Sequence, residues 1–338
     1  MTDLANIGGG DLKDVQGTKL LLEVDTGNLK VTDWAQKNRE HVERLVQDNG
    51  ALLIRGLKFA GSQQFGATLA TLFGEELIQY TYRSTPRTEL RGNVYTATEY
   101  HPDQIIPQHN ENSYTNRWAM RIGFLCTMPS AQGGATPICD SRRVYADLPD
   151  TLRQRFEDRG VLYVRNYSDL DIPWSEVFQT TEKADVEEFC AANDLSYEWL
   201  DDRHLRTHQI NQASATHPVT ADTVWFNQAH LFHVSNLEPQ VRDSLLSVMP
   251  EEHLPRNTYY GDGAPIEAPT LATIREVYER NTIRFDWQRN DLLLLDNMLF
   301  SHGRESFAGN RQVLVGMARL HGADRAAPAN GSAAPRSS

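Results

Sequence analysis

Asp291 to Arg304 reads DLLLLDNMLFSHGR. Four consecutive leucines, Leu292 to Leu295, stand between two aspartates. That is the length of a buried β-strand, and short apolar runs of this kind belong to sheets whose strands are covered. A few residues further on, His302 precedes Gly303. The run therefore couples a buried strand to a histidine.

Further strand candidates lie on both sides of it, short and rich in β-branched and aromatic residues: Ala51–Gly56, Asn93–Ala97, Arg121–Thr127, Val161–Tyr167, Thr223–Asn227 and Gln312–Leu320. Helical spacing of apolar residues predicts helices over Trp34–Asp48, Val144–Asp158, Lys183–Ala192, Pro239–Val248 and Pro269–Arg280. Strands are scattered through the chain and do not alternate strictly with helices, which argues against a doubly wound parallel sheet. The pattern suits an all-β core, a β-sandwich or jelly roll, with helices packed outside it. Residues 1–15 are polar and glycine-rich and read as a flexible start. Residues 323–338 are rich in Ala, Pro, Ser and Gly and read as a disordered tail. No linker of that composition divides the interval, so 16–322 is expected to be a single domain.

The chain of 338 residues carries 33 basic and 45 acidic side chains, a formal charge of -12. Such a surface repels phosphate backbones, so nucleic acid is not an expected partner. Its three cysteines, Cys126, Cys139 and Cys190, form no CxxC or Cys/His cluster and no disulfide framework, which fits a reducing cytoplasm. The start lacks a signal peptide's apolar run, and no stretch approaches the ~20 apolar residues of a membrane span.

The segment HNENSY, His109 to Tyr114, separates a histidine from a glutamate by two positions. In extended chain, side chains at i and i+2 point the same way, so His109 and Glu111 can reach one ion together. His302 is the candidate third ligand. Two imidazoles and a carboxylate on one face of an ion leave positions open, as non-haem Fe(II) requires to hold a cosubstrate and O₂. The same set also describes hydrolytic zinc sites. His230 and His233 form a competing pair at helical spacing, but lack a nearby carboxylate and read as structural or pocket-wall residues. Downstream of each ligand segment lies a candidate for carboxylate binding: Thr136 in GGATPICDSR and Arg311 in HGRESFAGNRQVLVGMARL. A guanidinium matches a carboxylate bidentately and is always charged.

Taken together, RSTPR (Arg83–Arg87), NVYTATEY (Asn93–Tyr100), HNENSY, GGATPICDSR, VRNY (Val164–Tyr167), VWFNQAHLFH (Val224–His233), PRNTYYGDG (Pro255–Gly263) and DNMLFSHGR resemble the taurine dioxygenase/clavaminate synthase superfamily. Within it, the chain looks most like the hydroxylases of syringomycin biosynthesis. The resemblance runs from about Ala51 to Met317. It implies a double-stranded β-helix, Fe(II) held by His109, Glu111 and His302, and 2-oxoglutarate with its far carboxylate on Thr136 and Arg311. Arg319 has the same strand parity as Arg311 and is the alternative, but the family pattern places the arginine sooner after the distal histidine. Members acting on free acids often carry a second arginine four residues later, where this chain has Val315. Either another arginine (Arg304, Arg117 or Arg121) grips an acidic substrate, or the substrate presents no free carboxylate there. An amino-acid thioester on a peptidyl carrier protein meets the second condition. Arg142, Arg143 and the arginines from Arg83 to Arg91 are candidates for a basic patch facing such a carrier. Asn110, Asn112, Asn227 and Gln228 are candidates to hydrogen-bond an amino-acid-like substrate. Glu111 fills the position that related halogenases vacate for halide, so hydroxylation is expected. Desaturation or cyclisation by the same oxidant, a zinc hydrolase and a non-catalytic binding protein are the alternatives. The sequence says nothing of oligomeric state.

Overall fold

In the computed structural model, Leu292–Asp296 lies at the middle of a seven-stranded sheet, between Ala51–Arg55 and Arg117–Met128. Residues 11–79, 87–98, 100–168, 170 and 172–322 are described. Leu292 and Leu294 turn to one face and pack, with Leu52, Ile54, Leu125 and Leu314, against Trp34, Val42, Phe65 and Leu69. Those four come from the helices Val31–Asn49 and Ser62–Phe73. Leu293 and Leu295 turn the other way, into a core shared with Phe124, Ile138, Phe300, Val313, Val315 and Met317. Period-two alternation feeds two cores from one strand, which is why the run is apolar throughout.

The seven strands run in the order Lys13–Val15, Thr18–Glu23, Ala51–Arg55, Leu292–Asp296, Arg117–Met128, Gln312–Gly322, Val94–Thr96. Only Thr18–Glu23 and Ala51–Arg55 pair in parallel. Across the inner core lies a four-stranded antiparallel sheet ordered Thr282–Ile283, Ile138–Asp140, Phe300–Arg304, Ile106–His109. The two sheets make the expected double-stranded β-helix. A further four-stranded sheet, Ser196–Trp199, Leu205–Asn211, Val161–Tyr167 and Arg256–Tyr260, builds a second core with Phe156, Trp225 and the helix Ala268–Asn281.

Two expectations need correction. The helix predicted over Val144–Asp158 is two helices, Ser141–Asp147 and Asp150–Arg159. Pro149 divides them, because the residue before a proline is pushed out of helical geometry, and Leu148 is extended at ψ 140°. Nor is all of 1–15 without structure: Lys13–Val15 forms a hairpin with Thr18–Glu23. Its turn is built on Gln16 and Gly17, both at positive φ, with the Gly17 N–H donating to Asp14 Oδ1 at 2.9 Å. The remaining calls on the termini, 1–10 and 323–338, lie outside the described residues. No helix among the described residues is long and apolar enough to cross a membrane.

Candidate active site

The register of the smaller sheet sets the site. His302 is the direct partner of His109, so the ladder holds the two imidazoles side by side, ring centroids 4.5 Å apart. Glu111 lies two residues beyond the strand end, and Asn297 fixes its backbone. The Glu111 N–H donates to Asn297 Oδ1 at 2.7 Å, and Asn297 Nδ2 donates to the carbonyls of Glu111 and Ala119, each at 2.9 Å. Asn297 itself sits in the turn between the leucine strand and His302. That turn is pinned by Asp296 Oδ1, which accepts from the N–H groups of Met298 and Leu299. Arg121 and His217 hold the rest of the Asp296 carboxylate.

The candidate ligand atoms of His109, Glu111 and His302 lie within 4.8 Å of one another, the only such group among the described residues. His302 Nε2 is 3.9 Å from Glu111 Oε2. His109 Nδ1 lies 2.9 Å from the Pro107 carbonyl; a carbonyl only accepts, so Nδ1 carries the proton and Nε2 keeps its lone pair for a metal. His302 Nδ1 is buried without a hydrogen-bond partner among the described residues, and packing against Phe124, ring centroids 5.0 Å apart, orients its ring. Burial pushes both imidazoles below their ordinary pKa, which keeps them in the neutral, ligating form. Burial would raise Glu111, but the charged Arg87 guanidinium, the first of the groups opposing it, helps hold the carboxyl at about 2. Arg87 Nη2 donates to Glu111 Oε2 at 2.7 Å, both side chains being buried. Two neutral nitrogens and one ionised carboxylate, with Glu111 and His302 buried and His109 partly so, fit a divalent metal.

Thr136 and Arg311 line one cavity with His109 and His302. Arg311 Nη2 donates to Thr136 Oγ1 at 3.1 Å and Nε to the Gly134 carbonyl at 2.8 Å. Burial, and Arg304 nearby, lower the guanidinium to about 10, so it is still charged near neutral pH. Phe124, Ala97 and Arg304 also line the cavity.

The model of the taurine catabolism dioxygenase TauD, TfdA family matches residues 13–318. This chain belongs to that family. It is a 2-oxoglutarate-dependent non-haem iron dioxygenase, and iron and 2-oxoglutarate are its cofactor and cosubstrate. Among its relatives, the dapdiamide synthesis protein DdaC of Enterobacter agglomerans is 39% identical over 277 residues, covering 82% of this chain and 84% of that one. A clavaminate synthase-like protein of Arabidopsis thaliana is 28% identical, with 85% and 87% covered. Among solved structures, PvcB of Pseudomonas aeruginosa superposes with a TM-score of 0.53 at 16% identity, covering 91% of this chain and 89% of that one. A second structure of PvcB, described as an Fe, α-ketoglutarate dependent oxygenase from an isonitrile synthetic pathway, gives 0.52 at 15% identity, with the same coverage.

Other expected residues of this dioxygenase are placed differently. Arg319 takes a left-handed backbone, φ 61°, which defeats the parity argument. Its guanidinium binds Glu43 and the Phe73 carbonyl on the helix-covered side of the large sheet. Arg304 lines the cavity, but its guanidinium donates to the carbonyls of Thr98, Tyr100, His101 and Gln104, so it anchors that segment and is not a substrate grip. Asn110, Asn227 and Gln228 are buried and engaged internally. Asn110 donates to Ser141 and the Asn297 carbonyl, Asn227 to the Ala213 carbonyl, and Gln228 to the Asn110 carbonyl. Of the amide candidates, Asn112 borders a cavity of about 270 Å³ that Arg117, Trp118 and Gln209 also line. Arg121 is taken by Asp296 and Glu43. Of the basic-patch candidates, Arg142 pairs with Asp140 and Asp222, Arg87 is buried on Glu111, and residues 83–86 lie outside the described residues. His230 and His233 are structural: His230 faces the Gln108 carbonyl, and His233 caps Ser235.

Sequence reasoning missed three residues. Arg87 was read as surface charge, Asn297 passed unnoticed inside DNMLFSHGR, and Trp287, whose indole N–H donates to Thr136 Oγ1 at 3.0 Å, stood outside every motif. Only Asn297 offered a local signal, as an amide in the turn between a buried strand and a ligand histidine.

Proposed function

We propose that this dioxygenase hydroxylates an unactivated C–H bond of an amino acid or amino-acid derivative in natural-product biosynthesis, and that the substrate is presented as a carrier-protein thioester. In this reading His109, Glu111 and His302 hold the iron, and Arg311 with Thr136 holds the far carboxylate of 2-oxoglutarate. Bound iron supplies O₂ activation coupled to oxidative decarboxylation of 2-oxoglutarate to succinate and CO₂. The chain's own part is placement. Asn297 sets the Glu111 backbone, Arg87 occupies one Glu111 oxygen, and Phe124, lining the cavity against the His302 ring, limits water there.

The observation that carries the thioester reading is Val315, buried and apolar where a second arginine would grip a free acid. Arg304 is held by backbone carbonyls and Arg121 by Asp296 and Glu43, so neither is placed to grip a free acid. The relative named for dapdiamide synthesis supports a biosynthetic role, and the resemblance to syringomycin-type hydroxylases supports an amino-acid substrate. Glu111 occupies the position a halide would need, which favours hydroxylation over halogenation.

The test is a succinate-release screen of free amino acids against the same amino acids loaded on a carrier protein, with mass spectrometry of the products. Faster release with loaded substrate and a gain of one oxygen are expected. Efficient turnover of a free amino acid, with no gain from loading, rejects the tethered substrate. A chlorinated product, or loss of two hydrogens, rejects hydroxylation.

A further inference from the structure

Thr136 carries one hydroxyl proton and two acceptor lone pairs. The Trp287 indole N–H, which can only donate, reaches Thr136 Oγ1 at 3.0 Å. The Arg311 guanidinium, which also can only donate, reaches the same oxygen at 3.1 Å. Two donors fill the two lone pairs, so this hydroxyl has to act outward as a donor. Its proton meets no acceptor among the described residues, and Thr136 borders the cavity that Arg311, His109 and His302 share. Trp287 is itself buried and edge-on to Phe285, ring centroids 5.1 Å apart. It reaches Thr136 from a segment outside both sheets.

We propose that Trp287 is a positioning residue for the cosubstrate: by filling one lone pair of Thr136 it fixes that hydroxyl as a donor into the cavity, toward the far carboxylate of 2-oxoglutarate. The far end of the pocket then presents donors only, from Arg311 and Thr136. An acceptor-only group satisfies them, whereas a terminal amide or hydroxyl brings a donor of its own against them. Trp287 thereby contributes to the choice of a dicarboxylate cosubstrate without touching it. The inference rests on the assignment of Thr136 and Arg311 to the far carboxylate.

The experiment titrates the Fe(II)-loaded enzyme with 2-oxoglutarate without oxygen, following the charge-transfer absorption, and repeats the titration on Mn(II)-loaded protein by calorimetry. Trp287→Phe removes the N–H and keeps an aromatic ring. It is expected to weaken 2-oxoglutarate on the order of fivefold, the scale of one hydrogen bond, with iron affinity unchanged. In a Thr136→Val background the same substitution should have no further effect. Binding of 2-oxovalerate, which lacks the far carboxylate, should be the same in W287F and the native chain. Trp287→His restores an N–H and should recover part of the affinity; Trp287→Leu should not, and this pair serves if W287F does not fold. The proposal fails if W287F binds 2-oxoglutarate like the native chain, or if the loss is as large in the Thr136→Val background or for 2-oxovalerate. Arg311→Ala separates the two levels: native affinity in that variant defeats the clamp itself, whereas loss there beside an unaffected W287F defeats only the role of Trp287.

Discussion

Replacing Arg87 with alanine should destabilise the metal-free enzyme far more than the metal-loaded one. In the native chain Arg87 and Glu111 form a buried ion pair at 2.7 Å, each side chain 4% exposed. Removing one partner of such a pair leaves an uncompensated buried charge, at a cost of about 3–5 kcal/mol. The carboxyl itself points to a similar size. It is held at about 2 against an ordinary 4.5, and that difference corresponds to about 3 kcal/mol. Arg87 is the largest of the favourable contributions opposing burial. A bound divalent ion would supply the missing counter-charge. Urea unfolding should therefore show R87A less stable than the native chain by about 3 kcal/mol in chelator, with most of that gap closed by Mn(II). Glu111→Gln removes the charge that needs a partner, so in that background R87A should have a much smaller effect. A metal-free loss below about 0.5 kcal/mol, typical of surface changes, refutes the reasoning. So does a loss of equal size with metal bound and in the Glu111→Gln background.

Asn297→Ala strands the Glu111 N–H and the carbonyls of Glu111 and Ala119. It should lower stability by about 3 kcal/mol and weaken Fe(II) binding, as thermal melts and metal titration would show; native iron affinity counts against its role. Arg319→Ala should leave 2-oxoglutarate affinity unchanged while Arg311→Ala loses it, and the reverse outcome would restore Arg319 as the cosubstrate residue. Stability should also fall on mild acidification. Burial holds His230 at about 3 and His233 at about 4 against an ordinary 6.5. The unfolded chain then binds more protons, and stability rises with pH from about 4 to 6.5 by up to ~1.4 kcal/mol per unit for each group. Urea midpoints that stay flat across that window contradict this.

The parts of the fold legible in the sequence are those whose burial is apolar. Leu292–Asp296, Val161–Tyr167 and Lys183–Ala192 sit where their patterns place them. Leu205–Asn211 was missed because its inward residues include Thr207, Gln209 and Asn211. Gln209 and Asn211 are buried by hydrogen bonds to the carbonyls of Asn193 and Tyr114, so no hydrophobic alternation marks the strand. At the site, the grouping of His109 with Glu111 was readable because a separation of two residues keeps side chains close, although Glu111 sits in a turn beyond the strand and not on extended chain. The pairing of His302 with His109 depends on register across the sheet, which spacing does not encode. Arg87 differs from a surface arginine only through burial, and the left-handed turn at Arg319 carries no glycine to announce it. The three residues that brace the site act through contacts far apart in sequence, where local patterns are silent.

Anaerobic absorption spectroscopy of the purified protein with Fe(II) and 2-oxoglutarate tests the central assignment most directly. The candidate ligand set His109, Glu111 and His302, whose two histidines line the same cavity as Thr136 and Arg311, predicts a metal-to-ligand charge-transfer band for the native chain. That band should be abolished in a folded His302→Ala variant and weakened in Arg311→Ala. No band from the native chain, an undiminished band in His302→Ala, or substrate turnover with zinc alone in the absence of oxygen would contradict the assignment.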